Sequence, residues 1–433
     1  MDLENIIQEC YKQLKRNQLK HQVYDRYYRG EHDILKKYAM QDARSNMKVV
    51  CNFPRLFIDE EVSYVLGYPI NYISYDSDDE VVETIDRNFS TWEKVHNQNL
   101  LKQTLIHGES YTLSYINRDG DFKATVLNPI NCFVVESEDA EEEVVLALHS
   151  YNKVFDDKEY IDVYYQNYIY HYVVDGDNFK KIGEDTHYFN GVPIQVMKAN
   201  DERKSMIEDI KSLNDSYNQI VSDLTNETSD FRNAFLKILG ATIEEQDLLK
   251  MKESGVIVVP KDGDVDFLIK NLNDDFIQNL LETIENKIYQ ISGHINHTEK
   301  MQSNLSSLTM RSRLISLENK CSLLQAQLEM VIKKRLKNFF EFIKLKTNKD
   351  YDYKSIRLKF TPNVPIDIAN TAQIITQLQN TISQRTALSL LPFVENVDAE
   401  MEQFYKEKGM AGEDFAELLE ELVGGNNEPA ETN

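Results

Sequence analysis

Long apolar runs are missing from this chain of 433 residues. No stretch nears the roughly 18 consecutive apolar residues needed to cross a bilayer. The start, Met1-Asp2-Leu3-Glu4, carries acids where a secretory leader carries bases. The expectation is a protein made and used in solution. Cysteine is scarce as well: Cys10, Cys51, Cys132 and Cys321 stand far apart with no Cys-x-x-Cys pair. That spacing suggests neither a disulfide framework nor a thiolate zinc site, and it fits a reducing cytosol. Only 15 Gly and 9 Pro are present, which argues against a low-complexity chain. Positive charge is in deficit: 48 Lys and Arg against 72 Asp and Glu leave a formal net charge of -24. Such a balance opposes a protein that grips nucleic acid over its whole surface, because phosphate contacts need cations. Any nucleic acid is expected to be touched locally or held at a distance.

Catalytic signatures are missing too. No Gly-x-x-x-x-Gly-Lys-Ser/Thr loop exists to cradle ATP phosphates, so the chain is not itself a motor. The segment from Asp262 to Asp266 starts like a calcium loop, but Phe267 stands where the tight turn needs Gly and Asn273 where the bidentate Glu belongs. His294-x-x-His297 has only Glu299 as a nearby third donor and reads as a polar-loop pair instead of a metal site. His107-Gly108-Glu109-Ser110 lacks the Gly-x-Ser-x-Gly elbow that exposes a nucleophile, and reads as structural. With this many acids, adjacent carboxylates such as Asp78-Asp79 are expected by chance and locate no acid and base pair. No catalytic residue, metal ligand or cofactor is expected.

What is present is a clear succession of patterns. At this length two or three cores are expected. An amphipathic helix opens the chain to about Lys20, followed by the aromatic and basic stretch Tyr24 to Gly30, read as a packed helix end with solvated charges. From Leu113 to about Val196, Tyr- and Val-rich runs alternate between turn dipeptides Asp119-Gly120 and Asp175-Gly176, the pattern of an antiparallel sheet region. The acidic run Glu136 to Glu143 reads as a solvated loop or sheet edge. Met206, Ile210, Leu213, Tyr217, Ile220 and Leu224 recur at spacings of four and three, predicting a helix over 205–230, roughly 39 Å long.

Short elements at Phe235 to Leu239, Gly255 to Val259 and Val265 to Ile269 predict a small α/β insertion. Helix returns over 274–291, with Ile277, Leu281, Ile284, Ile288 and Ile291 on one face. A polar stretch from His294 to about Ser307 precedes a helix over 308–345, roughly 57 Å long, with an apolar stripe from Leu314 to Ile343. That helix is basic, unlike the chain as a whole. A strand, Ile356 to Phe360, a second helical region from Ile368 to Leu390, and an acidic tail complete the order. The fold class is α+β, mainly helical.

Several local motifs run in order: Tyr28-Arg29-Gly30-Glu31-His32-Asp33-Ile34, Asn52-Phe53-Pro54-Arg55 with Asp59, Leu66-Gly67-Tyr68-Pro69, His107-Gly108-Glu109-Ser110-Tyr111, Asn128-Pro129, Val192-Pro193-Ile194, and Leu213-Asn214-Asp215-Ser216-Tyr217-Asn218 with Ser222-Asp223, Asp230-Phe231 and Ala234. Taken with the helix, loop and long-helix pattern that follows, they resemble the portal proteins of long-tailed bacteriophages infecting Gram-positive bacteria. The resemblance implies a wing over 1–204, a first stem helix over 205–231, a clip over 232–271 and a second stem helix over 272–295. It further implies a tunnel loop over 296–309, a long helix and return strand over 310–365, a helical crown over 366–410 and an acidic tail over 411–433.

It implies also a homo-oligomeric ring, a dodecamer in the virion, at one capsid vertex, assembled in the host cytoplasm with scaffold and major capsid protein. Double-stranded DNA would pass through it, and the terminase large subunit and then the head-tail adaptor would dock on the clip. Lys300, Asn304, Ser306, Ser307, Arg311 and Arg313 are the expected DNA-facing residues, and Val256, Ile257, Val258, Val259 and Lys261 the expected clip contacts. The tunnel-loop stretch Ser303 to Thr309 lacks the Gly found in related loops. Two other classes compete: a nucleic-acid enzyme of the packaging machinery, which needs a compact carboxylate cluster on a sheet, and a coiled-coil scaffold, which leaves the Tyr-rich sheet unexplained.

Overall fold

The structure, a computed structural model, describes residues 3–38, 45–76, 78–139, 142–176, 178–231, 235–239, 264–268, 274–296, 307–363, 368–378, 381–389, 391, 394 and 397–407, the side chains of 230–274, 307–313, 368–371, 389, 398, 399 and 402 excepted. The chain divides into two compact units, Met1–Asn363 and Val364–Asn433.

The first unit opens on helix α1, Leu3–Arg29, which runs nine residues beyond the expected end at Lys20. The aromatic stretch continues the helix because Tyr24 and Tyr27 are buried and hydrogen-bond to carboxylates far along the chain. A short turn of helix α2, Ile34–Lys37, precedes α3, Phe53–Leu66. The start of α3 is set locally: the Asn52 side chain accepts the Arg55 N–H, and Pro54 occupies the first turn where a missing N–H costs nothing. Strand β1, Asn71–Ser74, and helices α4, Asp79–Phe89, and α5, Glu93–His107, follow.

Helix α5 ends on Gly108 at φ 87. A Cβ added there would lie 2.1 Å from the carbonyl oxygen of Arg203, so the position requires Gly for space as well as for its backbone. That is the structural role expected for the His107 to Ser110 motif.

Eight strands then build two sheets. Strands β2, Glu109–Ile116, β3, Phe122–Leu127, and β9, Ile194–Lys198, form one in the order β3-β2-β9. The other is an antiparallel meander of β4, Cys132–Glu136, β5, Val144–Asn152, β6, Glu159–Tyr165, β7, Tyr168–Asp175, and β8, Asn178–Thr186. Gly120 and Gly176 take the left-handed backbone expected of the two turn dipeptides. Side chains alternate faces along a strand, and both faces of the meander are used. Ile7, Cys10 and Leu14 of α1 pack on Leu146, Leu148, Ile161, Val163 and Tyr172. Ala147, Tyr164 and Val134 on the opposite face meet Tyr111, Leu113 and Ile194 of the first sheet. The acidic β4–β5 turn is less solvated than expected at its start, where Glu136 pairs with Lys198 and Arg203.

Helix α6, Met206–Phe231, packs on helix α7, Asp274–Ser292. Between them, β10, Phe235–Leu239, pairs antiparallel with β11, Asp264–Leu268. Helix α8, Ser307–Thr347, spans 41 residues. Its stripe Leu317, Cys321, Leu324, Leu328, Val331, Ile332, Leu336 and Phe339 is buried within the same unit, where Phe339 joins Phe89 and Phe122 in an aromatic cluster. A free-standing coiled coil, the scaffold reading, would leave that stripe for a partner helix. Strand β12, Ile356–Lys359, returns to pair with β1.

The second unit contains α9, Ile368–Leu378, α10, Gln384–Ser389, and α11, Val397–Glu407. The helical region expected to run unbroken to Leu390 is therefore divided, and Tyr405 OH on α11 ties back to Gln384 on α10 at 3.2 Å.

Candidate functional site

The surface that sequence singled out for DNA lies around the segment joining α7 to α8. Of the expected DNA-facing residues, Lys300, Asn304 and Ser306 lie outside the described residues. Ser307, expected in the loop, and Arg311 and Arg313, expected on the long helix, all fall in the first two turns of α8, with backbone alone described. Val256, Ile257, Val258, Val259 and Lys261 also lie outside the described residues, whereas the strands flanking them, β10 and β11, pair as a small sheet.

The root of the segment is well described. Phe53 meets the Tyr217 ring at 5.3 Å in an edge arrangement, and Phe57 meets Tyr289 at 5.1 Å, so α3 is wedged against both α6 and α7. Glu285 of α7 accepts hydrogen bonds from Asn296 Nδ2 at 3.0 Å and from Tyr217 OH at 3.4 Å. His294 is a correction to the polar-loop reading: it is buried, stacked 4.3 Å from Phe57, and within 3.4 Å of Glu61. His297 lies outside the described residues. Ile291, expected on the apolar face of α7, is instead 53% exposed, while Ile288 one turn earlier is buried.

On α6 the sequence reading missed the principal feature. Asn214, Asn218, Ser222 and Asn226 stand at steps of four on one face and are wholly buried. They bind the extended segment 45–52: Asn214 Nδ2 donates to the Cys51 carbonyl at 2.9 Å, and the Cys51 N–H donates to Asn218 Oδ1 at 2.7 Å. The Val49 N–H donates to Ser222 Oγ at 2.9 Å, and the Met47 N–H to Asn226 Oδ1 at 2.6 Å, with Asn226 Nδ2 returning a bond to the Met47 carbonyl at 2.9 Å. Four residues of helix rise about 6 Å and two residues of extended chain about 6.6 Å, so the two repeats stay in step for these few rungs. The signal was visible as short polar residues at i, i+4, i+8 and i+12.

Farther along α8, Arg335 is wholly buried, donates to Glu93 at 2.5 Å and Asn97 at 2.9 Å, and lies over the rings of Phe89 and Trp92. Such a pair holds the long helix to α5 in one register, since removing either partner strands a buried charge. The compact carboxylate cluster that a nuclease needs is not found among the described residues, where no group of three or more His, Cys, Asp and Glu side chains could hold a metal.

The sequence from residue 7 to residue 414 matches the family described as Phage portal protein, SPP1 Gp6-like. The chain belongs to that family. The portal protein of Bacillus phage SPP1 is 23% identical over 437 residues, covering 92% of this chain and 86% of the phage protein. The portal protein of Clostridium phage phiCD119 is 22% identical over 420 residues, covering 88% of this chain and 91% of its own length. Among solved structures, the neck of an empty gene transfer agent particle aligns at TM-score 0.46 and 12% identity over 78% of this chain and 88% of that one. The native gene transfer agent virion aligns at TM-score 0.44 and 12% identity over 78% and 87%. The portal family is structural, and the α+β fold of helices and two sheets is in keeping with it. No helix among the described residues is long and apolar enough to cross a membrane.

Proposed function

We propose that copies of this chain form a ring at one capsid vertex, twelve in the virion, through which double-stranded DNA enters during packaging and leaves at ejection. In this reading the terminase large subunit docks on the ring first and the head-tail adaptor afterwards. Assembly takes place in the host cytoplasm with scaffold and major capsid protein. The chain performs no catalysis of its own; a separate ATPase moves the DNA.

The observation that carries this reading is the family match over nearly the whole chain, residues 7–414, which spans both α6 and α7 and the long helix α8. Residues 1–204 form the wing, 205–231 and 272–295 the stem, 232–271 the clip, 296–309 the tunnel loop and 366–410 the crown. The stem has the two long paired helices that a channel wall needs. A ring whose every subunit carries a net charge of -24 repels phosphates and keeps its cargo from sticking. Lys300, Arg311 and Arg313 supply the few local cations near the constriction. Electron microscopy and native mass spectrometry of the purified chain test the reading. Rings with a central hole are expected, and Ile257→Asp in the clip should lower their yield. Monomers or rods from the unaltered chain at micromolar concentration would sink it.

A further inference from the structure

Helix α8 is apolar on two opposite sides, and the chain covers one of them. Leu317, Cys321, Leu324, Leu328 and Val331 form the buried stripe. With about 3.6 residues per turn, Ile315, Asn319, Ser322, Leu323, Ala326 and Met330 fall together on the other side. All six are exposed, Leu323 at 71%, Met330 at 54% and Ile315 at 50%. Together with Ser316 they are every exposed position between Leu314 and Met330, and none carries a charge. Yet 28% of the residues of the whole chain are charged. A helix face kept in water is ordinarily the charged one. Here the charged residues of the stretch, Glu318, Lys320 and Glu329, are half-buried on the borders instead. An uncharged centre within a charged border is the layout of a protein–protein contact, and the small side chains of Ser322 and Ala326 let a neighbouring backbone come close beside Leu323 and Met330.

The charge of the chain says which partner fits. At a net charge of -24, two copies repel wherever their acidic surfaces approach. Like charges set face to face work against association, so a contact between copies needs ground that carries none. A basic partner would instead be met by acidic side chains. The outer side of α8 offers uncharged ground over about 22 Å of helix, from Ile315 to Met330 at a rise of about 1.5 Å per residue.

We propose that the outer side of α8, centred on Leu323 and Ala326, is a contact between neighbouring copies of this chain. The inference rests on the ring reading and goes further by naming the surface. In a ring of more than two subunits such a contact runs head to tail, so α8 of one copy packs on a different face of the next.

Native mass spectrometry of the purified full-length chain over a dilution series tests this with Leu323→Asp and Met330→Glu. Both side chains are more than half exposed, so the circular dichroism and urea midpoints of the variants should match wild type. Each variant should need at least about tenfold more protein to form rings, because a large apolar side chain no longer leaves water at each contact and a charge must do so in its place. Leu323→Met, which keeps volume and apolarity, should assemble like wild type. A photo-crosslinking amino acid in place of Ala326 should join one copy covalently to the next within purified rings. Wild-type rings together with unimpaired assembly of both charged variants would leave the ring standing and overturn this contact. So would rings in which the probe at position 326 joins no second copy, or normal variant rings that fail to enter particles, which would give the face to a capsid component. Absence of rings from the wild-type chain would instead remove the ring reading and this contact with it. If one variant loses its fold, the other and the crosslink decide.

Discussion

His21 on α1 and His107 at the end of α5 meet edge to face at 5.1 Å, both buried, and neither nitrogen of His107 finds a partner among the described residues. Burial holds both in the neutral form: His107 is lowered to about 3, with the neighbouring His21 adding to the effect, and His21 to about 4. In the unfolded chain these rings bind protons near pH 6.5. As pH falls below that value the unfolded state takes up protons that the folded state refuses, so stability is lost progressively down to the folded values. His171 runs the other way. Burial opposes its charge, but Asp162 at 2.6 Å and Asp185 at 3.1 Å win and raise it, so its contribution is present at low pH and disappears as pH rises through its folded value. His107→Leu removes two unpaired buried nitrogens at similar volume. The variant is expected to be about 1–3 kcal/mol more stable at pH 7, on the cost of unsatisfied buried polar groups, and to lose less stability than wild type on acidification. Urea midpoints at neutral pH and in the acid range check both halves; an unchanged midpoint at neutral pH would show that the ring nitrogens are satisfied.

At the scale of elements, the ladder on α6 does what a neighbouring strand does for a sheet edge: it satisfies alternate N–H and C=O groups of the segment 45–52. Asn218 and Ser222 each receive a backbone N–H of that segment, from Cys51 and Val49. Replacing either with Ala orphans a half-buried donor, at about 1 kcal/mol. Asn218→Ala carries the larger loss, because Asn218 Nδ2 also reaches His32 Nδ1 at 2.9 Å. Limited proteolysis should then cut within 45–52 well before the sheet region, whereas cleavage indistinguishable from wild type would mean that other contacts hold the segment. Helices α6, α7 and α8 were legible because their apolar periodicity is strong, whereas α3, α4 and α5 drew no helix reading, and β10, β11 and β12 were found within a residue or two from their short apolar runs and turn residues. The ladder was not, since buried Asn and Ser on a helix carry the same letters as a solvated face, and only the backbone of a distant segment makes them a core. His294 was misread for the same reason: its polar neighbours in sequence suggested solvent, while its neighbours in space, Phe57 and Glu61, come from a helix more than two hundred residues earlier. The wing's tyrosines repeat the lesson. Tyr11, Tyr27 and Tyr28 donate to Glu159, Asp215 and Asp59, contacts that no local pattern encodes.

For the whole molecule the decisive quantity is the uneven charge. A net charge of -24 in each chain makes nonspecific binding of duplex DNA to the outer surface unfavourable, because no dense array of cations is there to displace counterions from phosphates. Against that background a single lysine in the proposed tunnel loop matters more than it would on a basic protein. The field it must overcome is repulsive, and in the proposed ring its contact would be made at the constriction. In that proposed ring, Lys300→Glu reverses one charge in every subunit. Ring mass and particle yield are therefore expected to match wild type, while packaging slows or stops short. Packaged DNA length measured by gel electrophoresis and translocation rate measured on single motors separate the two effects. Full-length DNA packaged at the wild-type rate would remove Lys300 from the channel, and loss of rings in the variant would place it between subunits instead.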